Sequence, residues 1–318
     1  MDDAVETQPV PETQHGTSAR ARADRPLAGA WVMALPVGIL GAIGGLVPWW
    51  VSGARLPLQD LWDRPVLPRA MPITLLPFSF ATVILIFSML IVGAAVAGIA
   101  GRALRVGGLG VLMLLVGMLL VQVTATVQTA LVVRDGLQER LESTVYLVGL
   151  SAGTTVSILV GIIVATLIAR APRAGALLGL ALGAIGMTAW TSALLDPTRI
   201  GDGPLAATLV IVPWITPVLT GLAIAWTGVN TVGRVIAALL AVALVWVAPA
   251  VTTAVANALG SRVLLRSGGS DIIDYGIDVF QTALFSPELA LRPILATVVV
   301  AVVGLVVRAL IDRRRRAV

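Results

Sequence analysis

The chain has 318 residues, of which 58% are hydrophobic and only 12% charged, with a mean hydropathy of +0.97; a water-soluble domain carries about 25% charged residues, so the composition predicts a polytopic membrane protein. All 22 basic residues are arginine, cysteine is absent and the one histidine is His15, which excludes lysine-gripped nucleotide phosphates, lysine Schiff bases, disulfides, thiolate metal or iron–sulfur centres and, within one chain, a Ser-His-Asp triad, an H-E-x-x-H zinc site or bis-histidine haem. The net charge of +5 and pI near 11.0 do not imply nucleic acid, because the arginines are spread between apolar segments rather than gathered in one patch.

Residues 1–26 are polar, mixed in charge and without apolar periodicity, which predicts a disordered cytoplasmic tail rather than a signal peptide. Eight segments then follow, each long enough to cross about 30 Å of hydrocarbon, which takes ~20 residues of helix. Their expected limits are 27–52, 71–100, 107–133, 144–169, 175–195, 205–228, 235–259 and 290–311. Arg292 and Arg308 bound the last one and must snorkel to opposite interfaces. Between the seventh and eighth, Asp271, Asp274 and Asp278 recur at helical spacing, with Ile273, Ile277, Phe280 and Leu284 on another face. That pattern predicts an external amphipathic helix at about 270–285, its acids a solvated face rather than a cation site. Residues 312–318 form a basic cytoplasmic tail.

The connections alternate in charge. Arg102, Arg105, Arg170, Arg173 and Arg234 give one set five arginines and no acid, whereas the other set holds nine arginines and eleven acids, including Asp60, Asp63, Asp196 and Asp202. The positive-inside rule places the first set, and with eight spans both termini, in the cytoplasm. Trp49, Trp50 and Trp190 then fall at outer span ends, and Trp31 and Trp226 near inner ends, as an aromatic belt requires. The wealth of Ala, Val, Leu and Gly and the use of Arg for Lys suggest a GC-rich bacterial genome, hence the cell membrane.

Resemblances recur in order along the chain. LGAIG occurs at Leu40–Gly44 and Leu182–Gly186, V-T-x-x-V-x-x-A-L at Val123–Leu131 and Val251–Leu259, and Gly-Arg at Gly101-Arg102 and Gly233-Arg234. Proline pairs, Pro72 with Pro77 and Pro213 with Pro217, head the second and sixth spans, and all offsets lie between 128 and 142. The reading is an all-α transmembrane bundle of eight spans in a 4+4 internal repeat, with halves 27–174 and 175–311. An even number of spans per half makes the repeat parallel.

No Asp, Glu, Arg or His sits in the middle of a span, which argues against a proton-coupled carrier or an intramembrane aspartyl protease. Proline frees a helix carbonyl, and prolines at matching positions in two halves point to a transporter's binding site. Gln122, Thr124, Thr126, Gln128 and Thr129 in the third span and Thr252, Thr253 and Asn257 in the seventh supply amides and hydroxyls at matching depth. Of these, Gln122, Thr126, Gln128, Thr253 and Asn257, with Pro72, Pro77, Pro213 and Pro217, are the candidate cavity lining; the alternative is interhelical packing. Gly41–Gly45, Ala94–Gly98, Gly149–Gly153 and Gly179–Gly183 are small-residue pairs expected to pack helices within the bundle.

The function expected is that of a transporter- or permease-like protein without its own ATPase, since the inner loops are too short to seat one. No catalytic residue, metal or cofactor is expected. Partners are the lipid bilayer, a small-molecule or lipid substrate and a membrane protein, with no nucleic acid. The alternative is a scaffold subunit of a cell-envelope complex; an enzyme acting on lipid-linked substrates through the outer-loop acids ranks third, because nothing arranges those acids as a site.

Overall fold

The computed structural model describes residues 30–59, 61–195, 210–260 and 269–316. The N-terminal tail, Asp60, Asp196 and Asp202, and the side chains of Trp31 and Asp271, lie outside the described residues. Within them the fold is helical: α1 (Ala30–Val51), α2 (Val83–Ala103), α3 (Gly108–Gly136), α4 (Leu141–Arg170), α5 (Arg173–Leu194), α6 (Ile215–Thr227), α7 (Val232–Gly260), α8 (Gly269–Leu284) and α9 (Pro287–Arg316). All but α8 are long and apolar enough to cross a membrane, α2 with the 3₁₀ turn that precedes it from Phe80 and α6 counted from Val210.

Charge-free sequence predicted the second span from residue 71, but the helix begins only after the Phe80–Thr82 turn. Residues 71–79 are irregular and, Ile73 apart, mostly covered by protein: Met71, Leu76 and Phe78 are almost wholly buried, together with Leu56 from the same connection and Leu137 and Val133 from α3 and its end. Pro72 and Pro77 therefore precede the helix and do not bend it. At the matching place in the second half, Pro213 lies in a 3₁₀ turn and Pro217 in the first turn of α6, where a missing N–H is tolerated.

Packing centres on α2, the most buried span, which touches α1, α3 and α4 and also α5 and α7. Glycine makes the close crossings. A Cβ on Gly38 would stand 2.0 Å from the Leu114 carbonyl oxygen, and one on Gly117 2.2 Å from that of Leu35, so α1 and α3 meet backbone to backbone. Such contact maximises dispersion where lipid removes the hydrophobic drive to associate. Gly149 and Gly153 differ from the other small pairs: no atom lies within 4 Å of a Cβ built on either.

Among residues 30–170, α1 packs on α2 and α3, α4 packs on α2 and α3, and α2 touches α3. Among residues 173–316, α5 packs on α6 and α7, α9 packs on α6 and α7, and α6 touches α7. The shared short sequences are not placed alike, however. Gly101-Arg102 closes α2, whereas Gly233-Arg234 lies in the first turn of α7. Both LGAIG stretches adjoin α2, Gly41 against Ala97 and Gly183 against Ala95.

The connections define two faces. On the short-loop face, Arg102 Nη1 donates to the carbonyls of Ile168 (2.6 Å) and Ala171 (3.0 Å), and Arg308 Nη1 to those of Ala225 (3.1 Å) and Trp226 (2.8 Å). The Trp226 ring, on α6, receives the guanidinium carbons of Arg102 and Arg173 at 5.2 and 5.9 Å from its centroid. The Arg102 contact, worth about 0.5–2 kcal/mol, ties α2 of the first four helices to α6 of the second set, and the Arg173 contact joins α5 to α6 within that second set. On the opposite, long-loop face, the 52–79 connection folds over α3 and α4. The Trp62 ring occupies the space a side chain at Gly136 would need, and Tyr146 bonds Gln59 and meets Phe80 edge to face at 4.6 Å. On the same face α8 runs back along α7, with Gly276 by Ala258 and the Trp246 indole donating to the Leu284 carbonyl (2.9 Å).

Candidate functional site

A cavity of about 490 Å³ lies near the long-loop ends of the helices, between α2 of the first half and α5, α6, α7 and α9 of the second. The helices bring different chemistry to it. From α2 come Ile84, Phe87 and Ser88; from α5, Thr188 and Ser192; from the start of the sixth span, Pro213, Thr216 and Pro217. α7 and α9 add Val245, Pro249, Thr252, Leu289 and Pro293. Among the described residues no lining side chain is ionisable, and what they form is a mainly apolar chamber marked by hydroxyls.

Of the five lining hydroxyls, all but that of Ser88 have their protons committed. Thr216 Oγ1 donates to the Ala184 carbonyl (2.8 Å), so in its 2.7 Å contact with Thr188 Oγ1 it is the acceptor and Thr188 the donor. Ser192 donates to the Thr188 carbonyl at 3.0 Å, and Thr252 to that of Pro249 at 3.0 Å. A hydroxyl has one proton and two lone pairs, so these four groups offer a guest acceptors rather than donors. Two helix-interior prolines extend this bias. Pro249 and Pro293 have no N–H, which deprives the carbonyls of Val245 and Leu289, both on the cavity wall, of their helical donors. The chamber therefore suits a neutral guest that is mostly apolar and carries a hydrogen-bond donor.

Of the residues singled out from sequence, Pro213 and Pro217 line this chamber. The third-span group is elsewhere and joined to backbone. Gln122 is buried, and its amide donates to the Leu90 carbonyl on α2 (3.1 Å), leaving Oε1 buried without a partner. Thr126 donates to the Gln122 carbonyl (2.7 Å). Gln128 accepts from the Leu75 amide (2.9 Å) and donates to the Ile73 carbonyl (3.2 Å), and the neighbouring Thr129 accepts from the Leu76 amide (2.9 Å). Pro72 accepts from the Leu56 amide (2.9 Å), and Pro77 is buried and accepts from the Thr82 hydroxyl. On α7, Asn257 is exposed and donates to the Thr253 carbonyl one turn back (2.8 Å). Of the seventh-span polar residues, Thr252 is the one that lines the chamber.

Sequence reasoning missed Pro249, Pro293 and the hydroxyls of α5. The signal was present: two prolines within the charge-free parts of the seventh and eighth spans, where a missing N–H leaves a carbonyl bare. Among the described residues no group of three or more His, Asp or Glu side chains is placed to hold a metal ion.

No family model matches the chain, and neither the curated proteins nor the solved structures contain a match to it.

Proposed function

We propose that this chain is a permease-like protein of the bacterial cell membrane that admits a neutral, largely apolar small molecule or lipid bearing a hydrogen-bond donor. The observation that carries this reading is the uncharged chamber between α2 and the second four spans, with its proton-committed hydroxyls and proline-bared carbonyls. The 4+4 parallel repeat belongs to the same proposal, supported by the matching sets of neighbours in the two halves. So does the orientation: five arginines without an acid in the short loops place that face, and both termini, in the cytoplasm. With the short-loop face held by Arg102, Arg173 and Trp226, the chamber is an outward-side binding site. A scaffold role is the second reading, favoured by the unoccupied small-residue track at Gly149 and Gly153.

The absence of native cysteine makes the test direct. Ser192→Cys and Thr252→Cys are each exposed to a membrane-impermeant maleimide in proteoliposomes, with and without Ala248→Phe, which places a ring in the chamber. Modification from the long-loop side, slowed at least about tenfold by Ala248→Phe, is expected, and native mass spectrometry should detect a neutral co-purifying amphiphile that Ala248→Phe displaces. Equal labelling in both backgrounds, with no displaced molecule, would refute the binding role.

A further inference from the structure

A second hollow, of about 470 Å³, lies where α3 ends and α4 begins, on the long-loop face and apart from the chamber. Its wall includes Arg134, Arg140, Glu139, Gln138 and Ser143. Three features there point the same way. The residue before α4, Arg140, gives the helix no side-chain cap, and the first amide to reach a carbonyl four residues back is that of Thr144, bonded to Arg140. The amides of Leu141, Glu142 and Ser143 thus stand at the positive end of a 30-residue helix. Ser143 is only 5% exposed, and its hydroxyl oxygen is buried with no hydrogen-bond partner, a state proteins rarely keep unless something fills it. Neither Arg134 nor Arg140 is paired with a carboxylate among the described residues. The Gln138 amide is spoken for, donating to the Trp62 carbonyl (3.1 Å).

The wall carries one carboxylate, Glu139, against two guanidiniums and a helix N-terminus, while Asp135 and Glu142 adjoin the hollow in sequence without lining it. A carboxylate would occupy only part of it. A tetrahedral oxyanion has enough acceptor oxygens to use both arginines, the Ser143 hydroxyl and the α4 amides together. We propose that this hollow binds a phosphate-type group, mono- or diester. Leu141 and Val148, 77% and 61% exposed, flank it, so its position suits a phospholipid headgroup at the interface as well as a soluble phosphate compound.

The test uses the full chain in dodecyl maltoside, with inorganic phosphate titrated in one arm and short-chain phosphatidylglycerol in the other. Thermal stability and native mass spectrometry are the readouts. Binding of the lipid alone assigns the site to a headgroup; binding of phosphate alone, to a soluble ligand; either upholds the proposal. Charge-assisted bonds of this kind make the expected loss on Arg134→Gln with Arg140→Gln about tenfold or more, and that on Ser143→Ala about threefold. Ser143→Ala is informative in sign as well, since it should raise the melting temperature of the unliganded protein while weakening the bound state. Arg64→Gln, an exposed arginine of the same face paired with Asp63 at 3.7 Å, should change nothing. No binding in either arm, or binding that ignores the double replacement, would overturn the proposal.

Discussion

Replacing Thr129 by Val changes one oxygen into a methyl group at nearly constant shape, and the consequence can be worked through. Thr129 and Leu76 are both 0% exposed, and the Leu76 amide has the Thr129 hydroxyl as its acceptor at 2.9 Å. With valine there, a buried N–H loses its partner, which costs about 1–3 kcal/mol, or about 5- to 150-fold in the opening equilibrium of the segment. The loss is local, because the adjacent Leu75 and Ile73 remain bonded to Gln128. Hydrogen exchange of the 73–78 amides in detergent should accelerate by that factor while the amides of α2 and α3 keep their protection. Adding Gln128→Leu should free the whole connection and expose it to protease. Unchanged exchange at 73–78 in Thr129→Val would refute the view that this polar pair fastens the connection to α3. Loss of ligand binding with the connection still protected would return the pair to a binding role.

Two further outcomes follow from the packing and the charge. Gly117→Leu should prevent assembly of α1 with α3, since even a Cβ falls 2.2 Å from the Leu35 carbonyl oxygen, whereas Gly149→Leu should leave monomer stability within about 0.5 kcal/mol of the parent; comparable losses in thermal melts of the two variants would contradict the contact geometry. Reporter fusions after Arg105 and Arg173 should report the cytoplasm and fusions near Arg64 the exterior, as the arginine bias requires, and reversed signals at two of these sites would invert the proposed orientation.

The spans were legible because hydropathy and charge spacing are properties of the chain itself. What hydropathy cannot separate is burial in lipid from burial in protein. Residues 71–79 are uncharged and apolar enough to extend a span, yet Leu76 and Phe78 are covered by the bundle and their backbone bonds to Thr129 and to other parts of the connection. The same limit explains the polar residues. Gln128 in sequence is an amide in an apolar stretch, equally suited to a guest or to a backbone, and only the fold brings Ile73 and Leu75 to it. Pro249 and Pro293 were visible as helix-interior prolines, but their joint meaning depends on α7 and α9 facing one chamber. The helical period of Ile273, Ile277 and Phe280 needs no tertiary information, and the helix there spans Gly269–Leu284.

The uneven coverage of the spans bears on the order in which the molecule is put together. The most apolar stretch of α2 is 61% buried, that of α7 22% and that of α9 only 11%. In a bilayer each helix is stable alone once inserted, and association then depends on contact area and close fit. The first four helices, with their backbone-to-backbone crossings, hold enough contact to assemble while the rest of the chain is still being synthesised. α9, which rests on α6 through Gly221 and Gly304, can dock only after α6 is seated, and it closes the chamber wall with Leu289 and Pro293. The chamber is thus completed by the last and most lightly held piece of the protein, so under the proposed function a guest present during synthesis would act as a template for the final step.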